Sequence, residues 1–260
     1  GAATKFSQLQ LEAVKTYETI IALGVTTRSG DAEGEVIARQ SVRCTEAQVD
    51  QALAMHTGVI QQIPPMYSAL KLDGKPLYAY ARQGIEVERK PREVTIFQIA
   101  KLAADLQGPQ PWLQLRVRCS SGTYIRTLGQ DIANQLGCGG HLSGLRRIAT
   151  GSFELGHSLT LQHLEAQSQA EREACLQPVD VLLSQLPTIE LDDEQSGRFL
   201  TGLRRPIQQS DQPLVRVYAR SPRVLLGTAR IKGGELIAQR LLSPLEIRQM
   251  QPPQSLCMGQ

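Results

Sequence analysis

The chain lacks several things that would each have set its class. No apolar run approaches the ~18 to 20 residues that a bilayer-spanning helix needs, and no basic-then-apolar leader precedes a small-residue cleavage site. These absences predict a cytoplasmic protein with no membrane partner. Five cysteines (Cys44, Cys119, Cys138, Cys175, Cys257) form an odd set without a C-x-x-C pair, and the four histidines (His56, His141, His157, His163) show no metal-ligand spacing. Reduced thiols and no structural metal are the expectation. Neither sign of charge dominates, since the net charge is +3, and hydrophobic residues at 41% with charged residues at 20% exclude disordered and fibrous compositions. At 260 residues the chain can form one large domain or two smaller ones. It opens on Gly1-Ala2-Ala3-Thr4 without a methionine, which predicts a start inside a domain.

Charge is unevenly spread. Residues 71–147 hold 12 Lys/Arg against 6 Asp/Glu and residues 186–248 hold 10 against 7, while the remainder is acidic, 6 against 12. Such a basic middle suits a polyanion-binding face; solvated surface charge is the plain alternative.

Residues 16–23 alternate in the manner of a strand that stops at Gly24, and Ser29-Gly30-Asp31-Ala32-Glu33-Gly34 carries the residues a turn requires. Residues 35–39 can then return as a second strand, giving a hairpin-like pair. Thr45-Glu46-Ala47-Gln48 has capping-box spacing ahead of Val49 and Leu53, so a short helix is expected up to Gly58. Pro64-Pro65 makes 63–70 an extended connection. Leu113, Leu115, Val117 and Cys119 alternate with Gln114, Arg116 and Arg118, which predicts a strand with one apolar and one cationic face. After the Ser120-Ser121-Gly122 turn, Leu128, Ile132 and Leu136 mark an amphipathic helix ended by Gly137. Past residue 185 the texture turns to short strands at 214–218 and 224–229 with a Gly233-Gly234 hairpin signal, predicting a small β-rich second domain. After Leu245 a frayed tail is expected.

Three segments could carry chemistry. The stretch from Ile63-Pro64-Pro65-Met66-Tyr67 through Lys71, Lys75, Tyr78, Tyr80 and Arg82 interleaves cations with rings, which suits RNA with splayed bases as well as it suits a Pro-ordered surface loop. Arg118 to Arg126 runs from a cationic strand through a tight turn into a helix start, where turn amides favour anions. Arg126 sits among apolar neighbours and needs a carboxylate partner, which makes a structural ion pair the stronger reading of that residue by itself. His141-Leu142-Ser143-Gly144-Leu145-Arg146-Arg147 places an apolar residue beside paired arginines. Leu145 reads as core and His141 as a satisfied polar group, or else Leu145 faces a flipped base with the arginines on the backbone.

With their spacing, these segments resemble the bacterial tRNA pseudouridine synthase B family, which isomerises uridine 55 in the TΨC loop of tRNA. The resemblance runs from Gly1-Ala2-Ala3-Thr4-Lys5-Phe6 through Lys15-Thr16-Tyr17-Glu18, Gly30-Asp31-Ala32-Glu33-Gly34, 64–71, 122–126 and Leu145-Arg146-Arg147 to Gly197-Arg198-Phe199-Leu200-Thr201-Gly202. It implies an α+β protein: a pseudouridine synthase fold with a mixed, mainly antiparallel sheet and flanking helices over residues 1–185, a small β-rich PUA-like domain over 186–250, and a tail at 251–260. It implies Tyr17 and Arg126 as catalytic residues, with Tyr17, Tyr124, Leu145, Tyr67, Lys71 and Arg146 contacting the substrate. No cofactor and no metal are implied, the partner is tRNA through its TΨC stem-loop and acceptor stem, and the protein is monomeric.

One departure matters more than any match. The family's attacking aspartate lies in a Gly-His-Thr-Gly-x-Leu-Asp-Pro segment upstream of the Thr4-Lys5-Phe6 stretch, and these 260 residues contain no such segment. Asp31 matches a different family loop and reads as a hairpin acid, while Arg28 stands where many members are acidic. The resemblance therefore implies that this polypeptide alone is inactive and that Arg126 lacks its catalytic partner. A protein that only binds or helps fold tRNA is the second reading.

Overall fold

The computed structural model describes residues 1–250, and these form two compact units. In chain order the regular elements of the first half are α1 (Gln8–Leu11), β1 (Lys15–Leu23), β2 (Val25–Thr27), β3 (Val36–Arg39), α2 (Glu46–Met55), β4 (Gly58–Gln62), β5 (Lys71–Leu72), β6 (Lys75–Pro76), α3 (Leu77–Ala81), β7 (Arg92–Asp105), β8 (Trp112–Cys119) and α4 (Ile125–Gln135). They continue with β9 (Gly140–Thr150), β10 (Phe153–Glu154), α5 (Leu161–Ala166), α6 (Gln169–Ala174), β11 (Thr188–Leu191), α7 (Asp193–Leu200), β12 (Arg205–Pro206), β13 (Gln212–Arg220), β14 (Arg223–Lys232), β15 (Glu235–Leu241) and α8 (Pro244–Met250).

The unit Glu12–Ser158 is built on a six-stranded sheet in the order β10-β9-β1-β8-β7-β4, every pairing antiparallel. The alternation expected of β8 is realised at its centre: Leu113, Leu115, Val117 and Cys119 are fully buried, and β1 contributes Thr19, Ile21 and Leu23 to the same side. Against that side lie α4, through Ile125, Leu128, Ile132 and Ala133, and α2, through Val49, Ala52 and Leu53. Each large aliphatic removed from water here contributes about 1.5–3 kcal/mol. The Thr45/Gln48 capping box starts α2 as its spacing predicts. On the other side of the sheet Arg116 Nη2 meets Glu18 at 2.7 Å and Arg118 stacks over Phe97 at 5.1 Å, so the cationic face of β8 is present too.

Among the described residues, Gly1–Leu11 and those from Leu159 to Met250 form the other unit. Its sheet runs β11-β13-β14-β15-β12, with β11 parallel to β13, around a separate core that includes Phe6, Phe199, Tyr218 and Ile231. The units divide at 158/159, whereas the sequence texture placed the boundary at 185 and assigned the first eleven residues to the first domain. Phe6 explains the difference at the amino end: it is buried among the side chains of this second core.

Three expectations are corrected. Residues 35–39 do not pair with the strand at 16–23. Gly24 takes φ +82°, and a Cβ there would meet the Gln40 carbonyl oxygen at 2.8 Å, so the chain turns sharply and β2 becomes the partner of β3. Residues 246–250 are not a frayed tail but most of α8, where Ser243 and Glu246 exchange cap hydrogen bonds and Ile247 is buried. The tail expected at 251–260 lies outside the described residues. Two long strands, β7 and β9, went unrecognised because neither alternates cleanly: both carry register shifts where they pair.

Glu246 accepts from Lys5 Nζ at 2.6 Å and from the Ser243 amide and hydroxyl at 2.7 and 2.8 Å. Lys5 first, then the Ser243 bonds, hold its carboxyl down at about 2. A depressed carboxylate stabilises the fold above its unfolded pKa and loses that contribution as pH falls through the folded one. Glu246→Gln should therefore lower the melting temperature at neutral pH, and the gap to the parent should narrow as pH falls from 4.5 toward about 2. A gap that is constant with pH would contradict this account.

Candidate active site

The start of α4 breaks a local rule. A helix N-terminus favours anions, yet the first turn of α4 holds Arg126 and no acid, and its N-cap residue Tyr124 supplies no side-chain cap. The surroundings compensate. Arg126 Nη1 donates to Asp31 Oδ2 at 3.0 Å and to the Ser29 carbonyl at 3.3 Å, and Nη2 donates to the Tyr67 carbonyl at 2.6 Å. The carboxylate that the sequence left unnamed is thus Asp31, and the ion pair expected of a partly buried Arg126 is present. The pair is partly buried, with side-chain exposures of 24% and 30%.

Asp31 is held from all sides by its own loop. Ser29 Oγ and the Glu33 amide donate to Oδ1, Thr27 Oγ1 donates to its carbonyl at 2.7 Å, and a bridge links it to Leu142 of β9. Gly30 is required there: φ is +76° and a Cβ would meet Gln130 Oε1 at 2.8 Å. Gln62, at the end of β4, is 2% exposed and grips the Tyr124 backbone, accepting from its N–H at 3.0 Å and donating to its C=O at 3.3 Å.

Strand register sorts the remaining candidates. In β1 Tyr17 shares the parity of Thr19 and Ile21, the side that α4 covers, and its cross-strand partners are Val117 and Arg147. Leu145 lies opposite Thr19 and so faces the same side, but at 50% exposure it is not core, which overturns the plainer expectation. Tyr17, Leu145 and the α4 start with Tyr124 and Arg126 are therefore brought to one side of the sheet. Arg146 is not. It opposes Glu18, and with Arg116 and Glu154 it lines a cavity of about 660 Å³ on the reverse side. A one-residue register shift between Thr16 and Tyr17 leaves Arg147 as the cation beside Tyr17.

Tyr67 presents its carbonyl to Arg126 and lines, with Arg28, Ser29, Met66 and Gln130, a cavity of about 330 Å³. Lys71 is exposed on the β5–β6 ribbon. In the following helix the expected cation and ring interleaving is internal, since Lys75 stacks over Tyr80 at 4.5 Å and Arg82 over Tyr78 at 5.4 Å. His141 is satisfied as expected, its Nδ1 lying 2.7 Å from the Val25 carbonyl.

Burial pushes the Tyr17 phenol above its ordinary range and the neighbouring Cys119 adds to this, while the charge and hydrogen bond of Arg147 work in the other direction. The Lys15 ammonium on the same strand is lowered by burial first and by Arg147 second. Tyr17 is thus a neutral ring beside the Arg147 cation. Sequence reasoning missed Asp31 as the counter-ion, Gln62, and the place of Arg147 beside Tyr17. The signal for Arg147 was strand parity, legible only once β9 is known to be a strand.

Comparison with known proteins gives this geometry a family. The model of the TruB family pseudouridylate synthase N-terminal domain matches residues 1–125, that of the tRNA pseudouridylate synthase B C-terminal domain matches 126–184, and that of the pseudouridine synthase II TruB C-terminal region matches 187–242. The chain belongs to the TruB family. The tRNA pseudouridine synthase B of Ralstonia pickettii (strain 12J) is 51% identical over 253 residues, spanning 93% of this chain and 79% of that protein. That of Cupriavidus taiwanensis is 51% identical over 251 residues with the same coverage. Among solved structures, a Cbf5-Nop10-Gar1 complex matches with a TM-score of 0.67 at 22% identity, over 95% of this chain and 71% of that one. An H/ACA RNP bound to a substrate RNA containing 2'-deoxyuridine matches with a TM-score of 0.65 at 18% identity, over 96% and 72%. These likenesses show the expected α+β pseudouridine synthase fold, and the TruB C-terminal match coincides with the β-rich second sheet.

Proposed function

We propose that the chain is the main part of a tRNA pseudouridine synthase that isomerises uridine 55 of the TΨC loop. The observation that carries this reading is the convergence of Tyr17, Tyr124, Arg126 and Leu145 on one side of the sheet in a chain that TruB family models match from residue 1 to 242. Extruding a loop uridine costs a few kcal/mol of stacking, and a ring with an apolar neighbour offsets this by receiving the base. Tyr17 is that ring and Leu145 the wall. A carboxylate attacks C1′ as the N1 to C1′ bond breaks, the freed uracil anion turns, C5 displaces the carboxylate from C1′, and the proton on C5 is lost while N1 gains one. Tyr17 fits the proton transfer as a neutral hydroxyl that gives up its own proton as its oxygen takes the one from C5, with Arg147 hydrogen-bonded beside it. The attacking carboxylate is that of the Gly-His-Thr-Gly-x-Leu-Asp-Pro segment, and Asp31 serves as the counter-ion that holds Arg126. The reaction needs no cofactor. The enzyme works as a cytoplasmic monomer whose residues 186–250 hold the acceptor stem.

The test measures pseudouridine in a TΨC stem-loop by mass spectrometry after chemical labelling. The polypeptide extended at its amino end by a Gly-His-Thr-Gly-x-Leu-Asp-Pro segment should convert its target, and the 260 residues alone should not. In the extended form Tyr17→Phe should cut turnover by about 10²–10⁴-fold with RNA affinity unchanged. Lys71→Ala should weaken binding and lower the slope of log affinity against log salt by about 1. Conversion by the 260 residues alone would move the attacking role to one of their own carboxylates, Asp31 first. An extended polypeptide that binds the stem-loop without converting it would replace this reading with tRNA binding.

A further inference from the structure

Among the described residues Gln62 is the one buried side-chain amide, and its bonds at the proposed site are unusual. Both hydrogen-bonding ends of its side chain are spent on one residue, accepting from the Tyr124 N–H at 3.0 Å and donating to the Tyr124 C=O at 3.3 Å. The contact copies a strand pairing between a side chain and a backbone. It occurs where α4 has no side-chain cap of its own, and at 2% exposure water cannot take it over. Five residues further along the same chain, the Tyr67 carbonyl accepts from Arg126 Nη2 at 2.6 Å. The stretch 62–67, stiffened by Pro64-Pro65, therefore holds the first turn of α4 at two points, one on the backbone of Tyr124 and one on the guanidinium of Arg126.

We propose that Gln62 is a positioning residue for the reaction: through Tyr124 it sets where the first turn of α4 places Arg126 and the Tyr124 ring. This rests on the function proposed above. A helix start left ungripped would still form, because the packing of Ile125, Leu128 and Ile132 holds α4 on the sheet. Its first turn would lose its hold on the Tyr124 backbone, and small displacements of a positioned group are costly in rate.

Two variants of the extended polypeptide test this. Gln62→Met keeps length and volume but neither bond, and should slow single-turnover conversion of the stem-loop by about 10- to 100-fold, with unchanged RNA affinity and a cooperative melt above the assay temperature. Gln62→Glu reproduces both donor and acceptor only when protonated. Its rate should approach the parent at low pH and fall as pH rises, an ionisation absent from the parent profile. In an Arg126→Ala background Gln62→Met should add little further loss, since both changes act on one unit.

A Gln62→Met rate equal to the parent, losses in rate and affinity that move together, or effects that multiply with Arg126→Ala would each overturn the proposal. Should the extended parent make no pseudouridine at all, the functional reading fails first. The grip is then judged by amide exchange at Tyr124: faster exchange in Gln62→Met supports it, and unchanged exchange ends it.

Discussion

Arg126→Ala in the extended polypeptide should lower pseudouridine formation by about 10²–10³-fold while leaving affinity for the TΨC stem-loop nearly intact. The guanidinium is the node at which three segments meet: the Ser29–Asp31 turn, the Tyr67 carbonyl and α4. Removing it leaves the Asp31 carboxylate and two carbonyls without their donor at a site only about a quarter exposed on the arginine side. A buried polar group left unpaired costs about 1–3 kcal/mol, less here because water reaches part of the pair, so the fold should survive while the loops relax. Asp31→Asn should be milder, since the Ser29 and Tyr67 carbonyls still fix the guanidinium. Single-turnover rates and equilibrium binding, measured on the same preparations, separate the two effects. Equal losses in rate and affinity would assign Arg126 to RNA binding instead.

Phe6→Ala should destabilise the unit that contains the second sheet by about 3–5 kcal/mol. Phe6 is 1% exposed and belongs to the core formed with Leu183, Ile189, Phe199 and Val217, although almost two hundred residues of chain separate it from most of them. Truncating it leaves a cavity that the surrounding strands can fill only in part. Amide protection in β13 and β14 should fall by the corresponding amount. Trp112, the single tryptophan, lies in β8 of the other unit, so its fluorescence during urea unfolding follows that unit separately. Unchanged protection in β13 and β14 would show that the first eleven residues do not support the second core.

Local elements were legible in the sequence because their signals are local. The capping box of α2, the alternation of β8 and the 3.6-residue pattern of α4 each depend on neighbours within a turn or a strand, and all three formed as read. The resemblance on motif residues led to the right family, and the matched positions Tyr17, Arg126 and Leu145 fell on one side of the sheet. Arg146 lies on the other side of the sheet from Tyr17 for a physical reason. Adjacent strand residues face opposite ways, so a one-residue irregularity where β9 meets β1 decides which of two arginines stands beside Tyr17.

The amino-acid order alone determined the composition class, the periodicity of the amphipathic elements and the family motifs, since these are properties of short windows. Only the tertiary structure decided that Asp31 faces Arg126, that Gln62 grips Tyr124, and that Phe6 joins the second core. Those contacts span 95, 62 and some two hundred positions of chain. They exist because buried charges and amides must find partners wherever the packed sheet brings them, and no short window records where that is.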